Sequence, residues 1–256
     1  MSPRAEQQGP GPLSGTVLVT GGARRVGAAI ARLLHAAGMK VAIHYRASGA
    51  DARSLAEELN KVRPDSALAL KANLLSVPQL EQLAQQAAER WGGLHGLVNN
   101  ASSFYQTPLG EITEAAFDDL LGTNLKAPLF LAQACAPALR KAGGAIVNVS
   151  DLYARKPLRG RAPYCAAKAG LEAATKVLAL ELAPEVRVNA VAPSSILWPS
   201  DGSVDEAARK NYLARIPAAR LGGPEAVAHA VLYLLSPAAD FVTGTVLSVD
   251  GGEGLS

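Results

Sequence analysis

Tyr164 and Lys168 are the side chains of this sequence with the clearest capacity for acid–base chemistry. They stand four positions apart at the start of a predicted helix, which places both on one helix face. A nearby ammonium favours a phenolate, so we expect Lys168 to lower the pKa of Tyr164 below its ordinary value of about 10. The pair predicts a tyrosine that donates a proton near neutral pH. A solvated tyrosine and lysine are the alternative for an isolated match.

A glycine-rich turn, Thr20–Gly27, follows the first apolar run of the chain. Glycines let the backbone approach a phosphate closely, and the helix predicted from Val26 offers its N-terminal N–H groups. Arg25 stands where a glycine often occurs. The context of strand, turn and helix favours dinucleotide binding over a plain βα turn.

The segment His44-Tyr45-Arg46 ends the second predicted strand. An acidic residue at this point binds the ribose 2′-OH of NAD, whereas a basic one accommodates a 2′-phosphate. Arg46 is basic, and residues 40–49 contain no Asp or Glu. We therefore predict a preference for NADPH over NADH, with a solvated arginine as the alternative.

Apolar runs alternate along the chain with amphipathic segments of helical period. The predicted strands are Thr16–Thr20, Lys40–Tyr45, Ala67–Lys71, Leu94–Val98, Ala145–Val149, Arg187–Ala192 and Thr245–Val249. The predicted helices are Val26–Ala37, Asp51–Lys61, Val77–Arg90, Ala116–Lys141 with interruptions near Gly122 and Pro128, Pro163–Leu182 and Pro224–Leu235. A late loop, Pro193–Gly202, is placed where it could cover a site.

This alternation predicts an α/β protein with a single-domain, doubly wound Rossmann fold: a parallel sheet of about seven strands with helices on both faces. Of the 256 residues, 49% are hydrophobic, enough for one large core. We expect residues 15–256 to form the domain and residues 1–14 to be a disordered tail. Ligands should bind at the carboxyl ends of the strands.

Several classes of protein are disfavoured by composition. Every apolar run is broken well before the ~18 residues of a membrane span, and Met1–Gly15 does not resemble a secretory signal, so we predict a cytoplasmic protein. Cys135, Cys165 and four scattered histidines show no ligand spacing, and we predict no metal. The net charge of +3 without a long basic run argues against a nucleic-acid partner.

The motifs taken together resemble the short-chain dehydrogenase/reductase family. They are the TGxxxRxG pattern of Thr20–Gly27, Asn99-Asn100-Ala101 after the fourth strand, Asn124 in a helix, and the Tyr164/Lys168 pair, in the family's order. The resemblance extends over residues 15–252. It implies that Tyr164 is the proton donor, that Lys168 holds the nicotinamide ribose, and that Asn124 serves a proton relay. It also implies a homotetramer.

Asp151 stands 13 positions before Tyr164, where the family usually has a serine. With Arg25, Ser102 and Phe104, this aspartate resembles the pteridine reductase branch, whose members reduce pterins, and often folates, with NADPH. The resemblance implies Asp151, Tyr164 and Lys168 as catalytic groups and Phe104 stacked on the pterin. Arg25 and Ser102 would lie near the pterin and the cofactor phosphates.

The resemblance also implies which residues bind the cofactor. Asn73 stands where an adenine-contacting Asp is usual, although its amide oxygen can still accept a hydrogen bond, and Pro193-Ser194 replaces the usual Pro-Gly. The implied residues are Gly21, Arg24, Arg25, Val26, Gly27, His44, Tyr45, Arg46, Asn73, Leu74, Asn100, Ala101, Ser102, Tyr164, Lys168, Pro193 and Ser194.

The expected reaction is hydride transfer from NADPH to a C=N carbon of a dihydropterin, or of dihydrofolate, with Tyr164 supplying the proton and Asp151 polarising or reprotonating it. A helix-capping role is the alternative for Asp151, and a core position is the alternative for Phe104. Two other functions are alternatives. Ser150 could serve a ketone or 3-oxoacyl carrier reductase, and a protein without catalytic activity could act as a dinucleotide sensor. For the basic group Arg155, Lys156, Arg159 and Arg161, contact with an acidic substrate tail such as the glutamate of folate is one interpretation, and a solvated loop or a subunit interface is the alternative.

Overall fold

The computed structural model describes residues 13–198 and 205–256. Most of the predicted tail over residues 1–14, and the end of the predicted loop over residues 193–202, therefore lie outside the described residues.

The described chain contains one seven-stranded sheet, parallel throughout, with the strand order β3-β2-β1-β4-β5-β6-β7. This confirms the predicted doubly wound fold and all seven predicted strands to within two residues at each end. The strands are β1 Thr16–Val19, β2 Lys40–Tyr45, β3 Ala67–Lys71, β4 Gly96–Asn99, β5 Ala145–Val149, β6 Arg187–Pro193 and β7 Val246–Val249.

Helices cover both faces of the sheet because side chains of successive strand residues point to opposite sides. Val17 and Val19 of β1 are buried in the cluster under the first, second and eighth helices. Leu18, between them, is buried in the opposite cluster with residues of the third, fifth and sixth helices. The helices are α1 Arg25–Ala36, α2 Gly49–Val62, α3 Val77–Glu89, α4 Glu114–Leu121, α5 Ala127–Ala142, α6 Ala162–Leu182, α7 Glu206–Leu213 and α8 Gly223–Leu235.

Two helical predictions need correction. The predicted interruption at Pro128 is absent, because this proline occupies the first turn of α5, where a missing N–H breaks no helical hydrogen bond. The interruption near Gly122 is real and takes the form of a π-helical segment, Gly122–Lys126, between α4 and α5. Helix α7 was not predicted, because none of its residues is buried and it lacks an apolar stripe.

The chain order reverses between β1 and β4, which are neighbours in the sheet. Loops leaving their carboxyl ends run to opposite faces and open a crevice between them. Within the described residues, no helix has the length and apolarity that crossing a bilayer requires.

Candidate active site

A cleft of about 490 Å³ occupies the crevice at the carboxyl ends of β1 and β4. Every predicted cofactor, substrate or catalytic residue lines it except Tyr45, Asn124, Tyr164 and Ser194. Tyr45 packs against the core under α1 instead. Ser194 lines an adjoining cavity of about 620 Å³. Sequence reasoning missed the lining residues Leu75, Ser103, Thr123 and Val149, which belong to no motif.

The glycine turn suits a phosphate. A Cβ on Gly27 would lie 2.2 Å from the carbonyl oxygen of Gly21, so the turn closes this tightly only with glycine at position 27. Helix α1 begins at Arg25 without a side-chain cap from Arg24, which leaves its first N–H groups available to an anion. The residues present therefore fit the pyrophosphate of a dinucleotide. Arg25 has a φ of +51°, a strained conformation for a residue with a Cβ.

The Asn99-Asn100-Ala101 segment fastens this turn to β4. The side-chain amide of Asn100 donates to the carbonyl of Thr20 at 2.9 Å, and the Thr20 hydroxyl accepts from the backbone N–H groups of Asn100 and Ala101. Asn99 donates to the side-chain oxygen of Asn148 on β5 at 2.8 Å. The motif thus joins the turn and two strands beside the cleft.

His44 supports the turn from below. Its Nδ1 accepts from the N–H of Gly21 at 3.1 Å, so its proton is on Nε2, which donates to the carbonyl of Ala72 at 3.1 Å. Burial lowers the pKa of His44 to about 4, which keeps the ring neutral.

Arg24 and Arg46, which both line the cleft, each face a carboxylate. Arg46 lies 3.8 Å from Asp119 on α4, whose other oxygen accepts from the hydroxyl of Tyr105. Arg24 lies 2.5 Å from Asp51 on α2. The sequence analysis identified neither carboxylate. Asp51 lies just beyond residues 40–49, the segment considered for ribose binding, and Asp119 is far from Arg46 in the sequence.

Asp151, which lines the cleft, forms a hydrogen-bonded pair with Tyr164. The Tyr164 hydroxyl donates to Oδ2 of Asp151 at 2.7 Å, and Oδ1 accepts from the N–H of Tyr153 at 2.8 Å. Asp151 therefore caps a short helical turn, which is the alternative role considered for it from the sequence. Its second oxygen accepts from Tyr164. Burial raises the pKa of Asp151 above its ordinary value.

The expectation that the pKa of Tyr164 lies below 10 because of Lys168 is wrong. Burial raises the pKa of Tyr164 strongly, and the charge and hydrogen bond of Asp151 raise it further. The Lys168 ammonium lies 5.7 Å from the centre of the tyrosine ring and donates to the carbonyl of Val149 at 2.8 Å. Burial lowers the pKa of Lys168 to about 8.

Asn124 is connected to this pair through Ser102. The Ser102 hydroxyl donates to the side-chain oxygen of Asn124 at 2.7 Å and also interacts with the Tyr164 hydroxyl. Asn124 in turn donates to the carbonyls of Ser103 and Leu120. It lies in the π-helical segment, a local distortion that is common at functional sites.

Ser150, the residue on which a ketone reductase would depend, is buried, and its hydroxyl donates to Glu172 on α6 at 3.0 Å. Its proton is therefore committed to a carboxylate in the protein interior. The sequence analysis did not identify Glu172, because nothing in the sequence distinguishes it from other polar residues of the predicted helix.

Phe104 stands at the mouth of the cleft with 49% of its surface exposed, which excludes the core position considered for it. Its ring meets that of Tyr164 edge to face, with centroids 4.8 Å apart. The guanidinium of Arg161 covers it at 4.8 Å. In the basic group, Arg155 donates to the carboxylate of Glu172 and Lys156 donates to the backbone carbonyl of Glu253.

The adjoining cavity of about 620 Å³ begins beside Asp151 and Phe104 and extends under α7. Tyr153, Trp198 and Tyr212 give it an aromatic wall. The Tyr212 hydroxyl donates to buried Glu253 near the end of the chain. None of these residues was singled out from the sequence, because no motif contains them.

A doubly wound fold with a phosphate-binding turn and a Tyr–Asp–Lys group at one cleft defines a nicotinamide-dependent oxidoreductase. Residues 21–253 match the family model described as enoyl-(acyl carrier protein) reductase. The chain belongs to the short-chain dehydrogenase/reductase family, as its motifs predicted.

Similar proteins include two kinds of reductase. The chain is 37% identical to pteridine reductase 1 of Leishmania tarentolae over 285 positions, covering 96% of this chain and 98% of that protein. It is 34% identical to the 3-oxoacyl-[acyl-carrier-protein] reductase FabG of Staphylococcus aureus over 239 positions, covering 93% and 97%. The FabG of Vibrio cholerae is 35% identical over 237 positions, covering 92% and 95%.

Proposed function

We propose that this protein reduces a dihydropterin to a tetrahydropterin with NADPH. The observation that carries the proposal is the acceptor beside Tyr164: a carboxylate oxygen of Asp151 lies 2.7 Å from the phenol, while the Ser150 hydroxyl is bound to Glu172. The chain's likeness to pteridine reductase 1 supports the same reading.

A carboxylate at this point suits a pterin better than a ketone. The aminopyrimidine edge of a pterin presents N–H donors that Asp151 can accept. A ketone develops negative charge on its oxygen as it is reduced, and a carboxylate at hydrogen-bond distance would repel that charge. A second hydroxyl donor beside Tyr164 would favour carbonyl reduction, and the hydroxyl of Ser150 donates to Glu172 instead.

Tyr164, Asp151 and Lys168 have different roles in the proposed proton transfer. The bound nicotinamide supplies the hydride when present. Tyr164 holds a proton on its phenol oxygen, and its raised pKa keeps that proton in place until the substrate nitrogen becomes basic. Asp151 lies close enough to pass on to the resulting Tyr164 phenolate a proton that its own carboxylate takes up from solvent, and Lys168 supplies the positive charge that a transient phenolate needs.

Phe104 would form one face of the substrate slot. A flat ring stacked on it gains ~0.5–1.5 kcal/mol beyond simple burial. Arg161 and Tyr164 hold this ring from other sides, which fixes its plane without filling the cleft.

NADPH is proposed because Arg46 lines the adenosine end of the cleft, where a 2′-phosphate would form a charge-assisted contact. We further propose a dihydropterin rather than dihydrofolate as the better substrate. Three of the four basic residues that could meet a glutamate tail contact Glu172, Glu253 or Phe104 instead.

The test is NADPH oxidation measured with dihydropterins, dihydrofolate, quinonoid dihydropterin, simple ketones and a 3-oxoacyl thioester. We expect the highest kcat/KM with a dihydropterin, and a loss of about 100-fold or more in Asp151→Asn. A parent enzyme that reduces the 3-oxoacyl thioester faster than any pterin would replace the proposal with carrier-linked ketone reduction.

A second experiment tests the role of Phe104 with the substitution Phe104→Ala. Phe117→Ala is the matched control, because Phe117 is similarly exposed, at 44%, but lies on α4. We expect Phe104→Ala to raise KM for the dihydropterin about tenfold and to leave Tm unchanged. Equal effects of the two substitutions would remove the stacking role.

A further inference from the structure

We propose that Glu172 is a positioning residue that holds the turn carrying Asp151 against the helix carrying Tyr164. The inference rests on the proposed use of Asp151 in the reaction. It concerns a residue that lines neither of the two cavities described above and that acts only through its neighbours.

Glu172 lies on α6, eight residues after Tyr164 and four after Lys168, which places all three along one side of the helix. Its side chain is only 11% exposed. One carboxylate oxygen accepts from the Ser150 hydroxyl at 3.0 Å, and the other accepts from Nε of Arg155 at 2.9 Å. Both oxygens of the buried carboxylate are thus occupied by donors.

The two donors flank the reactive turn. Ser150 precedes Asp151, and Arg155 follows the short helical turn Leu152–Ala154 that Asp151 caps. Within the turn, the N–H of Ala154 donates to the carbonyl of Asp151 at 3.1 Å. One side chain on α6 therefore fixes both ends of the segment whose middle carries the catalytic carboxylate.

This arrangement decides the distance between Asp151 and Tyr164, because Asp151 belongs to the turn and Tyr164 to α6. A small displacement of the turn would lengthen the 2.7 Å hydrogen bond between them. Misplacement of reacting groups by about 1 Å can cost about 100-fold in rate. Arg155 adds a third element, since it also donates to the Ser248 hydroxyl of β7 at 3.3 Å.

The experiment compares Glu172→Met, which keeps the side-chain volume but removes both contacts, with Glu172→Gln. A glutamine can accept from Arg155 through its oxygen and donate to Ser150 through its nitrogen. The matched control is Thr175→Val on the same helix. Its hydroxyl accepts from Asn148 in the middle of β5 at 2.9 Å and does not contact residues 150–155.

We expect kcat to fall about 10-fold to 100-fold in Glu172→Met, while the Kd for NADPH stays within about twofold. Glu172→Gln should retain kcat within about fivefold of the parent, because it can keep both contacts. Thr175→Val should lower Tm without lowering kcat. If Glu172→Met does not fold, Arg155→Met is the substitute variant, because the Arg155 side chain is 44% exposed. It removes the contact between Glu172 and the end of the turn, and it should still lower kcat severalfold.

Hydrogen exchange gives a readout that does not depend on the substrate. The N–H groups of residues 153–156 should exchange about tenfold faster in Glu172→Met than in the parent, and those of α1 should not change. The inference is overturned if kcat and NADPH affinity fall together, or if Glu172→Met behaves as Thr175→Val does. Failure of the parent to reduce pterins would instead contradict the proposed function and leave the exchange result to decide the role of Glu172.

Discussion

Lys168 keeps its side-chain nitrogen in the protein interior, at the carboxyl end of β5. Burial disfavours its charged form and lowers its pKa to about 8, even though the charge of Asp151 acts in the opposite direction. The ammonium is therefore present below about pH 8 and is lost above it.

We predict that kcat/KM for NADPH falls about tenfold per pH unit above pH 8. The reason is that kcat/KM reports ionisations of the free enzyme, and in the proposed function the charged form of Lys168 is the one that supports Tyr164 and holds the cofactor ribose. The measurement is a pH series from 6 to 10. Arg46→Ala should lower the whole curve without moving this limb, and a curve that stays flat to pH 10 would contradict the prediction.

Arg46, which lines the cleft, forms an ion pair with Asp119, with side chains 61% and 26% exposed, and in the proposed function Arg46 receives the 2′-phosphate of NADPH. An incoming 2′-phosphate must compete with this carboxylate for the guanidinium. An ion pair of this kind contributes only ~0.2–1 kcal/mol, so the competition is modest.

We predict that Asp119→Asn lowers the Kd for NADPH about twofold to fivefold and leaves that for NADH unchanged. Fluorescence titration with both cofactors measures this directly. Asp118→Asn, the exposed neighbour on α4, is the matched control and should change neither affinity. Equal tightening of NADH binding would show that Asp119 acts on the shared part of the cofactor.

At the scale of elements, the glycine turn depends on a contact between two of its own residues. A Cβ at position 27 would come within 2.2 Å of the Gly21 carbonyl oxygen, a backbone atom that cannot rotate away. The turn and the first residues of α1 would have to separate.

We therefore expect Gly27→Ala to raise the Kd for NADPH at least about tenfold, because the N–H groups that receive the phosphate would be displaced. Gly93→Ala is the control, since its Cβ would make an ordinary 3.4 Å contact with His95. Calorimetric titration of both variants decides the point. Unchanged NADPH affinity in Gly27→Ala would mean that the phosphate is not held by this turn.

At the scale of the whole molecule, His44 joins three neighbouring strands of the sheet. It lies on β2 and bonds to the turn after β1 and to the carbonyl of Ala72 after β3. The bond from the Gly21 N–H requires the neutral ring with its proton on Nε2, whereas the bond to the Ala72 carbonyl forms in either charge state.

The pKa of His44 is about 4 in the folded protein against 6.5 in the unfolded chain. The unfolded chain therefore binds a proton first as the pH falls, and folding stability decreases between pH 6.5 and 4, by up to about 3 kcal/mol. We expect Tm to fall by several degrees over this range, and His44→Gln to flatten the dependence. His229→Gln, at an exposed site, should leave the slope unchanged; an equally steep slope in His44→Gln would contradict the assignment.

The strands could be predicted because each is a short β-branched or apolar run that ends at glycine, proline or a polar residue. The helices with one buried face could be predicted for a similar reason, and α7 could not, because it buries none of its residues. Likewise, the cleft residues within recognisable motifs were found, whereas Leu75 and Thr123 were not, because only the folded chain brings them to the cofactor crevice.

The sequence by itself determined the order of strands and helices, the edge of the sheet where the cleft lies, and the position of Tyr164 and Lys168 on one helix face, because local spacing and periodicity define these. Asp151 was singled out by the family resemblance. Only the tertiary structure decided the direction in which the pKa of Tyr164 shifts, the partners of Arg46 and Arg24, and the hydrogen bond of Ser150 to Glu172. Those properties depend on burial and on charges contributed by residues far apart in the chain, and neither follows from the spacing of residue types.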